Sequence, residues 1–237
     1  MTSLPGIKAL AFDVFGTVVD WRGGVIQAGE ELARERNLDV NWPAFADAWR
    51  KKYAPSMDRV RGGDLPWTNL DALHCASLAE LLQEFGIEGL TEEEKEHLNK
   101  AWHRLDPWPD SVERLTRLKE HHIIAPLSNG NVALLTNMAK RAGLPWDLVL
   151  SAEIVRRYKP DPETYHMVPA FLDLRPEEVA MVAAHPDDLR AAAGNGLRTA
   201  YVPRPLEWGP GGEAEPPDPT FDIVAGEFLE LAEKLGA

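Results

Sequence analysis

The chain has 237 residues, room for one large domain or a core with one insertion, and its 44% hydrophobic content can bury a sizeable core. Lys and Arg total 25 against 38 Asp and Glu, and a net charge of −13 without a basic run argues against nucleic acid as a partner. The single cysteine, Cys75, excludes an intramolecular disulfide framework and a Cys-rich zinc site, and it suits a reducing compartment.

From the amino terminus, residues 1–8 lead into only four apolar residues, 9–12, before Asp13. A secretory core is longer, and a membrane span needs about 20 apolar residues. A cytoplasmic protein without a membrane segment is expected. Residues 7–12 form an apolar run suited to a buried parallel strand, ending in Asp13, Val14, Phe15, Gly16 and Thr17. Residues 21–104 then read as helical throughout, with helices expected over 29–36, 42–53, 70–85 and 92–104. Thr91 followed by Glu94 predicts a capping box at the start of the last of these. Five tryptophans (Trp21, Trp42, Trp49, Trp67 and Trp102) fall in this block, most simply as packing anchors. Beyond it, expected strands at 123–127, 179–184 and 199–202 alternate with helices at 110–121, 132–142, 161–172 and 187–195. That alternation predicts an α/β fold, a Rossmann-like parallel sheet with helices on both faces. The expected division is a core of residues 1–20 and 105–237 with an inserted all-helical cap of residues 21–104. Residues 206–220, rich in Pro and Gly, read as a loop.

Ligands of such sheets bind beyond the carboxyl ends of the strands. There the sequence sets Asp13, then Ser128 and Asn129, then His185 and Asp188, with Lys159 between the second and third groups. Asp13 alone would serve as a turn cap, and Lys159 alone as a solvated residue before a helix. Together the order resembles the haloacid dehalogenase superfamily over essentially the whole chain. Its four motifs resemble Phe12 to Thr17, Leu127 to Gly130, Tyr158 to Asp161 and Val182 to Asp188. A carboxylate nucleophile needs its charge held, which Lys159 can do, while Ser128 and Asn129 offer donors to an anionic ligand.

Most members of that superfamily are magnesium-dependent phosphatases, and this sequence departs from them twice. By that resemblance, Phe15 stands where they carry the general-acid aspartate, and Ala184 where they carry a metal-binding aspartate. Magnesium requires oxygen ligands in near-octahedral geometry, so no metal and no other cofactor is expected. Both departures resemble the L-2-haloacid dehalogenase (type II) branch. That resemblance implies Phe15 and Arg50 as substrate-binding residues, Arg50 receiving the halide, together with Ser128 and Asn129. Read by itself, Arg50 beside Lys51 and Lys52 is a solvated surface residue. The branch implies attack of Asp13 on the halogen-bearing carbon of a short halocarboxylate, followed by hydrolysis of the aspartyl ester. His185, with an intrinsic pKa near neutrality, is either a general base on the hydrolytic water or a histidine that orients the loop, and Asp188, at the position that matches the branch, is the orienting or basic carboxylate. Members of the branch often form homodimers, so a homodimer is the implied assembly. The rival readings are a phosphatase with an unusual metal site and a non-catalytic anion-binding protein on the same fold.

Overall fold

The computed structural model describes Leu4 and residues 6–237; the others, part of the amino-terminal stretch read above for an export signal, lie outside the described residues. The first half runs β1 (Ala9–Phe12), β2 (Val19–Asp20), α1 (Trp21–Arg36), α2 (Trp42–Arg61), α3 (Leu70–Glu84), α4 (Glu92–Asn99) and β3 (Asp106–Pro107). It continues as α5 (Ser111–Lys119), β4 (Ile123–Ser128), α6 (Val132–Ala142), β5 (Leu150–Ser151) and α7 (Ala152–Val155). Then follow α8 (Pro162–Leu172), β6 (Val179–Ala183), α9 (Pro186–Gly194), β7 (Arg198–Tyr201), β8 (Ile223–Val224) and α10 (Phe228–Leu235).

Six strands make one parallel sheet in the order β5-β4-β1-β6-β7-β8. This is the expected α/β class. Side chains alternate between faces along β1. Leu10 and Phe12 join Leu115, Leu118, Phe228 and Leu231 of α5 and α10. Ala9 and Ala11 face the other way, toward Tyr165, Val168 and Leu189 of α8 and α9. Burial on both faces is why the strand reads as an unbroken apolar run. The chain moves from β1 outward through β4 to β5, then returns with β6 on the other flank of β1. The order reverses at β1, so the ends of β1, β4 and β6 open onto one crevice.

Helices α1 to α4 lie between β2 and β3, two short strands that pair antiparallel with Val19 opposite Pro107. Three boundaries differ from expectation. The first helix starts at Trp21 rather than residue 29, because the Asp20 carboxylate accepts the Gly23 N–H at 2.8 Å and caps a first turn that contains two glycines. The second continues through Pro55 to Arg61. Proline leaves the carbonyl four residues earlier without its helical donor, but Lys51 is exposed and water can serve it. The fourth ends at Asn99 in a 3-10 turn, Lys100–His103. Its capping box is formed, the Glu94 carboxylate accepting the Thr91 N–H at 2.7 Å. Among the described residues no helix is long and apolar enough to cross a membrane.

Close approach of α1 and α2 depends on Gly29, where an added Cβ would stand 2.1 Å from the Trp42 ring. Gly29→Ala should therefore lower stability by about 1–3 kcal/mol, read from urea unfolding. An unchanged midpoint would contradict this helix contact.

Candidate active site

Asp13 follows β1 directly and is 8% exposed. Its Oδ2 accepts the Thr17 hydroxyl at 2.7 Å and lies 3.1 Å from His185 Nδ1, while Oδ1 accepts from Lys159 Nζ at 3.0 Å. Thr17 is fixed in turn, its Oγ1 accepting the Ala184 N–H at 3.0 Å. Lys159 Nζ donates also to Asp188 Oδ2 at 2.5 Å, and Tyr165 donates to Asp188 Oδ1 at 2.7 Å. On the other side, His185 Nε2 sits 3.0 Å from both oxygens of Glu207, which accepts from Trp21 Nε1 at 2.9 Å. The result is one continuous chain, Tyr165–Asp188–Lys159–Asp13–His185–Glu207–Trp21, in which three carboxylates alternate with Lys159 and His185 and a neutral donor closes each end.

Charge states follow from these contacts. Burial by itself would raise the Asp13 carboxyl, but Lys159 and His185 outweigh it and hold the group below the usual carboxylate range. Burial would lower the Lys159 ammonium, and Asp13 and Asp188 instead push it above its ordinary value. For His185, burial again opposes, yet Asp13 and Glu207 raise the imidazole to about 10. His185 was expected to titrate near neutrality; with a carboxylate against each ring nitrogen it rests as a cation at that pH.

Lys159 lies in the connection between α7 and α8, not at a strand end, and its backbone N–H donates to Asn129 Oδ1 at 2.8 Å. Asn129 thereby ties the β4 loop to the lysine. Ser128 Oγ accepts the Gly130 N–H at 3.1 Å and shapes the same loop.

The helical block supplies the opposite wall. Phe15 meets Tyr53 and Trp102 edge-on at 6.4 and 5.7 Å between centroids. Burial pushes the Tyr53 phenol up against the pull of Arg50 and Asn129. The Arg50 guanidinium carbon stands 4.3 Å from the Tyr53 ring centre and 5.3 Å from that of Trp21. Its Nη1 is buried without a partner, so Arg50 faces inward, unlike the solvated residue that its two lysine neighbours suggest.

Glu207, Thr17, Tyr165 and Trp21 were missed by the sequence reading. Thr17 stood inside the first motif and Tyr165 one turn into a helix. Glu207 falls in the loop of residues 206–220 and carries no motif at all, yet it is only 4% exposed. Gly16 makes room for it: φ is +87°, and an added Cβ would meet Glu207 Oε1 at 2.2 Å. Asp187, by contrast, points outward and pairs with Arg190 at 2.7 Å.

The donor set does not fit a magnesium ion. Lys159 Nζ already bridges Asp13 and Asp188, and Phe15 and Ala184 bring no side-chain ligand atom. A family model for haloacid dehalogenase-like hydrolases matches residues 7–196. The chain belongs to that family. Among curated relatives of this hydrolase family, (S)-2-haloacid dehalogenase 4A of Burkholderia cepacia is 27% identical over 96% of this chain and 93% of its own. The (S)-2-haloacid dehalogenase of Xanthobacter autotrophicus is 30% identical over 84% of this chain and 76% of its own. A solved structure of a defluorinating L-2-haloacid dehalogenase superposes with TM-score 0.94 at 46% identity, covering 98% of this chain and 96% of that one. A second L-2-haloacid dehalogenase structure gives TM-score 0.93 at 44% identity, covering 98% and 99%.

The His185 geometry can be checked without substrate. A histidine raised from 6.5 to about 10 adds stability that is fully present below 6.5 and lost as pH rises through 10. Nitrogen-15 imidazole shifts should show both ring nitrogens of His185 protonated from pH 7 to about 9, and Glu207→Gln should move the titration downward. A neutral ring at pH 7 in the unmodified protein would contradict the arrangement.

Proposed function

We propose that this hydrolase cleaves the carbon–halogen bond of short 2-haloalkanoic acids, haloacetate or an L-2-haloacid, to give the 2-hydroxy acid and halide through an ester on Asp13. The observation that carries this reading is the ionised, buried Asp13 carboxylate, oriented by Thr17, Lys159 and His185, with the apolar Phe15 two residues on. A phosphatase would need an acid for its leaving alcohol and a cation against its phosphate; a departing halide needs neither. The named relatives support the same substrate class.

In the first step a carboxylate oxygen of Asp13 attacks the carbon in line, the carbon–halogen bond breaks, and its electron pair leaves with the halide. Lys159 and Arg50 provide positive charge for the substrate carboxylate and the departing anion. Fixed geometry at contact distance supplies several kcal/mol of the barrier. Esterification removes the charge of Asp13, and with it one of the two carboxylates that keep His185 protonated. The Nδ1 proton then leaves to solvent, accounting for the acid released with halide. Neutral His185, its Nε2–H held by Glu207, presents the Nδ1 lone pair beside the ester. In the second step water adds to the ester carbonyl, giving one proton to Nδ1 and the other to the departing 2-hydroxy acid oxygen. The Asp13 carboxylate and the imidazolium are restored. Asp188 is less suited to this task, because Lys159 and Tyr165 occupy both of its oxygens.

A single turnover of bromoacetate in oxygen-18 water tests the ester directly. Label should enter the Asp13 carboxylate, with the first product hydroxyl unlabelled, and halide release should persist in the presence of a chelator. Label in the first product molecule would remove Asp13 as nucleophile. The second step has its own signature. Glu207→Gln should still release one equivalent of halide per site, then stall with the ester accumulated, turnover falling by about 10²–10⁴. Loss of the burst together with turnover would deny the His185–Glu207 pair its separate part.

A further inference from the structure

Buried polar groups almost always find partners, and each one left alone costs about 1–3 kcal/mol. Around Arg50 three residues break that rule at once. Arg50 Nη1, Trp102 Nε1 and both ring nitrogens of His74 are buried without a hydrogen-bond partner. They are neighbours. The His74 ring stacks on Trp102 with centroids 4.4 Å apart and lies 6.1 Å from Tyr53, on which Arg50 rests. Trp102 in turn meets Phe15, two residues from Asp13. His74 is also neutral: burial drives it down to about 3, Asp71 opposing and Arg50 adding to the fall. A neutral imidazole offers one N–H donor without adding a charge.

Such a cluster of idle donors suits a small anion that is present only during reaction. We propose that His74 and Trp102 donate, beside Arg50, to the halide as it leaves, and that these two N–H groups govern acceptance of fluoride as leaving group. The inference rests on the dehalogenase reading and deepens it. As Asp13 forms its bond to carbon, the carbon–halogen electron pair moves onto the halogen, and no proton is transferred there. Fluoride concentrates that charge on the smallest atom and depends most on strong donors; bromide spreads it and depends least. A tolerance for fluoride therefore requires directed N–H groups, not merely the positive charge that Arg50 brings.

The test is the ratio of fluoride release from fluoroacetate to bromide release from bromoacetate, measured as kcat for each. His74→Phe retains an aromatic ring against Trp102 and deletes the donor. Removing one donor to a developing charge costs about 10²–10³ in rate, so the ratio should fall by at least about tenfold. His74→Gln, which restores an N–H without the ring, should recover part of the ratio. Trp102→Phe supplies an independent variant should His74→Phe not fold, with the same fall expected. An equal loss for both substrates, or an unchanged ratio in the variants, overturns the proposal. Wild-type protein that releases bromide but no fluoride overturns the proposal alone. Wild-type protein that releases neither overturns the dehalogenase reading and this inference with it.

Discussion

The site depends on a single electrostatic constraint: a carboxylate buried after β1 must remain charged. Isolated, an ionised carboxylate in that setting would protonate rather than bear the loss of water. Lys159 and His185 prevent this from opposite sides, and each of them also contacts a second carboxylate that favours its charged form. In the alternation of Asp188, Lys159, Asp13, His185 and Glu207, every buried charge has an opposite partner. The group at each end is neutral, the Tyr165 hydroxyl and the Trp21 indole both donating to a carboxylate without adding charge. Removing any member leaves its neighbours unbalanced, which in a low-dielectric setting is costlier than losing the contact itself.

The parallel sheet supplies the geometry for this chain of charges. Reversal of strand order at β1 brings groups from distant parts of the sequence to one crevice, and β4 and β6 flank the strand that bears Asp13. The helical block is tied down separately. Tyr158 donates to the Thr68 carbonyl at 2.6 Å, the Trp67 and Tyr158 rings stand 4.8 Å apart, and Asn69 reaches Glu153 at 3.3 Å. These contacts join the α2–α3 connection to the segment around α7, close to Lys159. The aromatic wall over Asp13 and the lysine beneath it are thus held by neighbouring stretches of chain.

Much of this was legible in the sequence. The apolar runs marked β1, β4 and β6, and the polar residues ending them drew attention to Asp13, Ser128, Asn129, His185 and Asp188. Short edge strands such as β5 and β8 were not legible, since two residues carry no period. Glycines at 23 and 24 masked the start of α1, because a side-chain cap from Asp20 overrides local propensity. Tryptophans read as packing anchors gave only half of their role: Trp21 also binds Glu207, and Trp102 carries an unpartnered N–H. Protonation of His185 was out of reach for a physical reason. Its charge state is set by Asp13 and Glu207 together, and no local pattern announces the second of these, a carboxylate that folds inward from a Pro- and Gly-rich loop.

That loop has an evolutionary consequence. Glu207 lies beyond residue 196, where the family match ends, and it reaches His185 from a segment that adds no strand to the sheet. Arg204 of the same segment donates to the Thr17 carbonyl at 2.8 Å, so the loop is moored to the turn that follows Asp13. Surface loops accept insertions and substitutions far more readily than the strands they connect. The proton affinity of His185 can therefore drift with changes in a late, exchangeable segment while Asp13 and its strand stay as they are. Descendants of one ancestral sheet can in this way diverge in the pH at which they work while Asp13 is unaltered.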